Sequence, residues 1–450
     1  MRKVLLSVLV LIVVLLAAGL FYAGRLVASL KTPEFKKQVL AQASTAVGTK
    51  VDVKSMDIDV LSGVTLQGVA VANPAPFPGS LATAEEVVLR YRLRSLLAGR
   101  VEVQRLSVRK PVLLLAMDPK GTFNYEKLAG ASAKTAPAAP AGGGMAGSML
   151  RLVISRLAVE NGEVLMVDDR KAPIMKVQDA DLESAFTVGG GVAEGKGKAG
   201  LGTLALADML FVRGVSSPLE MSKERVRLSP IRGKLAGGDV TGDLQLDLKK
   251  AAYAMSLDVK GAQVDTLLKE SGSSRAVTGS LQAKASFEGT GGLPTLKGKG
   301  SAFVSSCRLT KSPVMALLAG VLQLPELANP SFDECRMEFS IGGNRVQTPV
   351  LSLKGAVVQM TGKGTMGLAT SGLDYDMEMA LSKALVDKIG VKELRAAFRD
   401  RGDGFSTIPF RVTGTTDHPQ TDLATRIGKA AATQALKDQA GRLFGKKKPF

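Results

Sequence analysis

One spacing of apolar residues recurs along the chain and restricts its fold. In the segments 51–58, 64–71, 101–108 and 152–159, apolar residues occupy relative positions 0, 2, 5 and 7. On a helix these positions scatter around the axis. On a strand they share one face only if one residue is absorbed in the middle, as in a β-bulge, which also bends the strand. The spacing therefore predicts bulged strands that curl a sheet into a trough. The alternative is two short strands separated by a turn.

Composition supports a mainly β chain with many turns. The 450 residues are 45% hydrophobic and include 49 Gly and 19 Pro, which suits two or three modules of short strands. Aromatic residues make up only 4% of the chain, and there is no Trp. Stacking on nucleic-acid bases needs aromatic faces, so we do not expect a nucleic-acid partner.

The N-terminal segment predicts a membrane anchor. Arg2 and Lys3 precede an uncharged run from residue 4 to residue 24. As a helix this run is roughly 31 Å long, enough to cross the hydrocarbon core of a bilayer. The alternatives are a cleaved signal peptide and a buried core helix. We predict a single-pass anchor at 1–25 with a cytoplasmic N-terminus, which places the rest of a bacterial chain in the periplasm.

Helices are expected at a few places between the strands. Capping residues and apolar stripes predict helices at 32–48, 312–325, 382–398 and 420–444. The segment 130–149 consists mainly of Gly, Ala and Pro, and this composition is typical of a linker.

Net charge and cysteine content suggest two further features. The net charge is +18, which favours an anionic lipid surface as a partner if the charges do more than solvate the outer face of a sheet. Lys446, Lys447 and Lys448 are the best candidates for such contacts. In an oxidising compartment Cys307 and Cys335 form a disulfide or remain two buried thiols, and the sequence leaves both open.

Reactive groups are scarce in the sequence. The single histidine, His418, stands beside a Pro in a predicted loop, and no ligand cluster accompanies it. The Gly-rich segments 195–202 and 362–368 do not have the phosphate-loop spacing, and strand edges and turns explain them. We therefore expect no catalytic residue, no metal site, no cofactor and no enzymatic activity.

The order of several short motifs resembles the AsmA family of Gram-negative envelope proteins. After the apolar N-terminal segment come a strand pair leading to Asn73-Pro74, a Leu-Leu-x-Gly turn at 96–99, a strand that begins at Pro111 and a Gly-x-x-Asn turn at 121–124. Segments near 312–327, 337–355 and 406–423 resemble the C-terminal part of the family. The resemblance implies five regions: an anchor at 1–25, an AsmA-like N-terminal module at 26–129, a linker at 130–149, a middle β-region at 150–300 and an AsmA-like C-terminal region with a terminal helix at 301–450.

The resemblance also implies a fold and a function. Related proteins, including TamB and chorein-type bridge proteins, have a long, curled, mostly antiparallel β-sheet whose inside is an apolar groove, a β-taco, with short capping helices. The expected function is phospholipid binding or transport along that groove in support of outer-membrane biogenesis. The alternative is a non-enzymatic structural protein that affects outer-membrane protein assembly and protein targeting to the membrane, with outer-membrane assembly proteins as partners. Under the bulge hypothesis the groove would be lined by Val101, Val103, Leu106, Val108, Leu113 and Leu115.

Overall fold

The chain is mainly β, with few helices, as predicted. A computed structural model describes residues 33–59, 63–92, 101–128, 152–189, 192–250, 252–273, 276–290, 295–310, 312–368, 370–390, 392–416, 418–423 and 425–426. It divides into two compact units, an N-terminal unit of 1–235 with 240–255 and a C-terminal unit of 236–239 with 256–450. The helices are α1 Pro33–Val47, α2 Val264–Glu270, α3 Pro313–Leu322, α4 Lys383–Asp387 and α5 Lys392–Ala396, with 3₁₀ helices at Asn124–Lys127 and Pro325–Ala328.

Several predicted segments lie outside the described residues. They are the anchor at 1–25, the linker at 130–149, the Leu-Leu-x-Gly turn at 96–99 and most of the helix at 420–444. In the part of the chain that the structure describes, none of the helices combines the length and the apolar character that a bilayer crossing requires.

The N-terminal unit is built on a mixed sheet. Its strands are β1 Val51–Asp52, β2 Ser55–Asp59, β3 Gly63–Ala72, β4 Ser80–Tyr91, β5 Val101–Arg109, β6 Val112–Ala116, β7 Leu152–Val167, β8 Pro173–Gly189, β9 Val192–Leu206, β10 Leu210–Lys223 and β11 Arg225–Leu235. β3 pairs with β1 and β2 on one side and with β4 on the other, and β4 pairs with β5 and β6. β5 and β6 both pair with β7 in parallel, and β7 through β11 follow as antiparallel neighbours. A parallel pair needs a crossover connection, so the chain that contains the predicted linker joins two parts of one unit.

The bulge hypothesis is confirmed in β5 and β7. Along β5, Val103 pairs with Tyr91 but Arg105 pairs with Arg90, so β5 has one residue more than β4 at this point. β7 has one extra residue relative to β8 between Ile154 and Leu157. In the segment 51–58 the alternative is correct, because it forms the separate strands β1 and β2. The segment 64–71 stays within β3, where Gly68 has the left-handed φ of 59° that glycine tolerates.

α1 covers one part of this sheet. Its buried residues Val39, Ala43 and Val47 pack on apolar side chains of the first strands. The helix ends before Gly48, whose N–H donates to Ser44 O at 2.9 Å and whose φ is 79°. The remaining buried residues of these two clusters are Val51, Val53, Val64, Leu66, Val69, Leu81, Ala84 and Leu128.

The C-terminal unit buries its apolar face under its own helices. Its strands are β14 Ala276–Thr290, β15 Lys297–Thr310, β16 Ser331–Gly342, β17 Arg345–Lys354, β18 Val358–Gly367, β19 Leu373–Ser382, β20 Arg399–Asp400, β21 Phe405–Gly414 and β22 Pro419–Thr421. The division of the chain into the two units falls within β12 Gly238–Asp247 and β13 Ala252–Gln263. β14 to β19 pair antiparallel in sequence order, and β21 pairs with β19, β20 and β22. Met315, Leu318 and Leu322 of α3 lie in one buried cluster with strand residues such as Phe332 and Met379.

The helix predicted at 312–325 is confirmed, and the single helix predicted at 382–398 is wrong. α3 begins after Ser312, whose side chain accepts a hydrogen bond from the backbone N–H of Met315, with Pro313 at its first position. The single helix expected at 382–398 is instead two short helices, α4 and α5. Between them Ile389 is fully buried, and Gly390 follows it. Burying Ile389 at this point takes the chain out of helical geometry, and glycine favours the break.

Candidate functional site

The bulges of β5 and β7 lie side by side. The two strands are parallel, and their register is the same on both sides of the bulge, so Val103 lies opposite Ile154 and Leu106 lies opposite Leu157. All four side chains therefore point to the same face of the sheet, on both sides of the bulge. The apolar spacing seen in the sequence thus produces one continuous apolar face.

This face continues across β8, β9 and β10 in three rows of directly opposed residues, and two of these rows reach β11. No residue of the three rows is charged. Each row crosses strands about 4.8 Å apart, and adjacent rows lie about 6.7 Å apart along the strands. The rows are Val103, Ile154, Phe186, Gly195, Met221 and Val226; Leu106, Leu157, Ser184, Gly197, Leu219 and Leu228; and Val108, Val159, Leu182, Ala199 and Ser217.

β9 contributes little side-chain volume to the uncharged rows, and side chains of β8 occupy the space above its glycines. Its three positions in the rows are Gly195, Gly197 and Ala199, which have no side chain or only a methyl group. A Cβ on Gly195 would overlap the ring of Phe186. The glycines of the segment 195–202 that lie in the rows are therefore interior positions of a central strand. The expected explanation by strand edges and turns is wrong for them.

The two polar residues of the rows are satisfied by the backbone. Ser184 Oγ donates to Lys196 O at 2.8 Å, and Ser217 Oγ donates to Pro218 O at 2.8 Å. A hydroxyl with its own backbone acceptor adds little polarity to an apolar surface. The face consequently offers an apolar partner neither a charge nor an unsatisfied donor.

Burial differs along the face. Val103 and Leu106 are 0% and 2% exposed and pack with Leu89 and Ile154 in a closed cluster. Val226 of β11 is buried, at 8% exposure. In β8 to β11, however, several apolar side chains of this face are only half-buried, and in the described part of the unit these belong to no closed cluster. They are Leu182, Leu201, Val215, Leu219, Leu228 and Ile231.

The structure separates the residues predicted to line the groove. Val103 and Leu106 lie together in the closed cluster, whereas Val108 and Leu113 pack against the two clusters that α1 covers. Leu115 is buried, at 5% exposure. The backbone of Val101 pairs with Leu152, and its side chain is outside the described residues. Whether these residues line a lipid groove remains a prediction.

Sequence reasoning missed the half-buried part of the face. The signal was present as alternation in β10 and β11, where residues such as Leu219 and Leu228 are flanked by Glu220 and Arg227. Glycines, serines and register shifts interrupt that alternation.

A cavity of about 460 Å³ opens at the ends of β7 to β10, and Ile154, Phe186, Gly195 and Met221 contribute to its lining together with residues of the opposite face.

The opposite face carries the charges. Arg156 pairs with Glu183 at 2.9 Å, and Lys196 pairs with Glu220 at 3.5 Å. These residues alternate along their strands with the uncharged rows. These ion pairs thus lie on one side of the sheet, and the uncharged rows lie on the other.

The turn after β6 is fixed by polar contacts. Asp118 accepts hydrogen bonds from Lys127 Nζ at 2.6 Å and from the N–H groups of Lys120 and Thr122 at 3.0 Å. The bond from Lys127, followed by that from Thr122, holds the pKa of Asp118 below its ordinary value. The 3₁₀ helix that follows begins with Asn124, which is fully buried.

The family assignment follows from comparison with known families. The model of the AsmA family matches residues 1–224, which include the motifs at 73–74 and 121–124. The chain belongs to the AsmA family. The family match spans the uncharged rows as far as β10, and the C-terminal segments that resemble the family lie beyond it. No curated protein and no solved structure matches this AsmA-family chain.

Proposed function

We propose that this AsmA-family protein binds phospholipid acyl chains on the uncharged rows of its N-terminal unit. In this proposal the chain is anchored in the inner membrane through residues 4–24, and its remaining residues lie in the periplasm. There it holds or conducts lipid in support of outer-membrane biogenesis. The site needs no catalytic residue and no cofactor.

One observation carries the proposal: the rows contain no charged residue, yet Leu219, Met221 and Leu228 of β10 and β11 are only half-buried. Monomeric soluble proteins rarely leave a large contiguous apolar patch open to water without a partner for it. In the C-terminal unit, by contrast, α3 and α4 close the apolar face. The open rows therefore favour a ligand that is itself apolar.

Acyl chains fit the chemistry of this surface. Each CH₂ group that leaves water contributes about 0.8 kcal/mol, and this gain has no directional requirement. A chain lying along the rows would meet methyl and methylene groups of Leu, Val and Met. Because no residue of the rows is charged, a chain could slide without breaking ion pairs or hydrogen bonds.

A second function is a structural role in outer-membrane protein assembly, through protein partners. The core of the C-terminal unit favours it, because Met315, Leu318 and Leu322 of α3 cover the apolar face of that unit with the chain's own side chains. In this case a protein segment, not a lipid, would cover the rows of the N-terminal unit.

Site-specific photocrosslinking in cells tests the two functions. A benzophenone amino acid is placed in the full-length chain at Leu219, on the rows, or at the neighbouring Glu220, on the charged face. We expect phospholipid adducts, identified by mass spectrometry, at position 219 and not at position 220. The two positions differ by one residue, so expression and local lipid concentration are matched.

The outcomes separate the hypotheses. Adducts to a protein at position 219 would favour the structural role. Equal lipid labelling at both positions, or no lipid at position 219, would contradict acyl-chain binding at this site.

A further inference from the structure

The two cysteines lie on neighbouring strands of the C-terminal unit. Cys335 of β16 lies opposite Val304 of β15, and Cys307 is three residues further along β15. Ser306 has a left-handed φ of 53°, and β15 has one extra residue there relative to β14. This bulge turns Cys307 to the side that Val304 faces. The two cysteines are therefore diagonal neighbours on the same apolar face.

Their thiols are already in contact. Both are free, and they hydrogen-bond to each other. That bond holds the pKa of the Cys307 thiol below its ordinary value and raises the pKa of the Cys335 thiol. The thiolate is the form that reacts in thiol–disulfide exchange, and in this pair the hydrogen bond from one thiol stabilises the thiolate of the other.

The pair differs in access to solvent. Cys307 is 3% exposed and belongs to the buried cluster of the unit, while Cys335 is half-buried at its margin. A reagent from solution can therefore approach Cys335, and the bond formed with Cys307 would be shielded afterwards. The chain between the two, residues 308–334, contains α3, whose side chains close the same cluster.

We propose that Cys307 and Cys335 are a disulfide-forming pair whose oxidation ties β15 to β16 and closes a loop around α3. The oxidant is a low-molecular-weight or protein disulfide. One cysteine gives up its proton and attacks it, which forms a mixed disulfide and releases one thiol of the oxidant. The thiolate of the other cysteine then displaces the second thiol. Two electrons and two protons pass to the oxidant.

Some local movement accompanies bond formation. A disulfide requires an S–S distance of about 2.05 Å. It also favours a shorter distance between the two Cα atoms than many diagonally placed residue pairs in a sheet have. The resulting bond is intramolecular and should not depend on protein concentration.

Peptide mapping of the full-length folded chain tests the proposal. Trypsin cleavage sites at Lys299, Arg308, Lys311 and Arg336 place Cys307 in the peptide 300–308 and Cys335 in the peptide 312–336. After treatment with oxidised glutathione and blocking of free thiols, we expect the two peptides as one linked species that dithiothreitol separates. We also expect oxidation to raise the melting temperature of the wild-type chain by several degrees, and not that of Cys307→Ala or Cys335→Ala.

Three results would overturn the inference. In the first, both peptides are recovered unlinked and fully alkylated. In the second, glutathione stays attached to Cys335 and no bond to Cys307 forms. In the third, the linkage forms only between two chains. The peptide map of the wild-type chain decides between these results even if a variant fails to fold.

Discussion

Asn124 and Asn73, 51 residues apart, are joined by a hydrogen bond of 2.8 Å from Asn124 Nδ2 to Asn73 Oδ1. Asn124 Nδ2 also donates to Leu114 O at 2.8 Å, and Asn124 Oδ1 accepts from the N–H of Ala116 at 3.2 Å. Asn73 Nδ2 donates to Pro78 O at 2.7 Å. The Asn-Pro segment at 73–74 and the Gly-x-x-Asn turn at 121–124, both motifs of the family resemblance, are thus hydrogen-bonded to each other, and the turn is also bonded to the end of β6.

Replacing Asn124 should destabilise the N-terminal unit strongly. Asn124→Ala removes a fully buried amide and leaves Leu114 O and Asn73 Oδ1 without this donor. A buried polar group left without a partner costs about 1–3 kcal/mol. We expect the free energy of unfolding, from hydrogen exchange of β6, to fall by about 2–3 kcal/mol.

The variant Asn73→Ala is the matched control for that measurement. It leaves Asn124 its bond to Leu114 O, so its effect should be smaller. In the double variant the two effects should not add, because both remove the same bond. Strict additivity would show that the two side chains act independently.

The turn at Asp118 should make the unit less stable in acid. The pKa of this carboxyl in the folded chain lies below its ordinary value of 3.8 because Lys127 and backbone N–H groups bind the charged form. Its stabilisation is complete well above pH 3.8 and is lost as the pH falls through the folded-state pKa. We expect Asp118→Asn to melt at a lower temperature than the wild type at about pH 7, with the difference shrinking towards about pH 3.

The control Asp208→Asn changes an exposed carboxyl in a hairpin turn. A difference that stays the same in acid would mean that the introduced amide disturbs the turn sterically.

Local sequence signals predicted the elements that local interactions determine. The start of α3 follows from Ser312 and Pro313, and the bulges of β5 and β7 follow from apolar residues three apart. The break between α4 and α5 was missed because it depends on where Ile389 enters the core. That is a property of tertiary packing, which outweighs the helical pattern of the segment.

The site was predictable only in part for the same reason. The spacing of Val103 and Leu106 placed both on one apolar face, but it contained no information on how deeply each is buried. The parallel pairing of β5 with β7 joins segments on opposite sides of the linker, and no local pattern indicates it. The place of β9 in the rows also depends on that pairing, because Gly197 lies in the same row as Leu106 only through β7 and β8.

Adjacent leucines in α3 should differ sharply in their contribution to stability. Leu318 is fully buried in the cluster of the C-terminal unit, whereas Leu317 is 37% exposed. Leu318→Ala should lower the free energy of unfolding by about 2–5 kcal/mol, through lost burial and a cavity. Leu317→Ala should change it by less than about 1 kcal/mol, and the change in helix propensity is the same for both. Hydrogen exchange of β18 and β19 measures both effects, and comparable losses would mean that α3 is not packed as described.

Charge introduced at two positions of the uncharged rows should have opposite consequences. Val103 is 0% exposed and packs against Leu89, Leu106 and Ile154, so Val103→Asp buries an unpaired carboxylate and should unfold this part of the sheet. Leu219 is half-buried, and at that position an aspartate can keep contact with water. Leu219→Asp should therefore leave the chain folded and remove co-purifying phospholipid.

Ser216→Asp is the matched control for the lipid measurement, because it adds the same charge to β10 at an exposed position opposite Arg232. Protease resistance and circular dichroism report the fold, and lipid extraction of the full-length chain reports occupancy. A folded Leu219→Asp variant with wild-type lipid content would contradict acyl-chain binding on the rows. Equal lipid loss in Ser216→Asp would attribute the effect to charge alone. Loss confined to Leu219→Asp would place the lipid on the uncharged face of β10, because both variants add one negative charge to the same strand and only Leu219 lies in the rows.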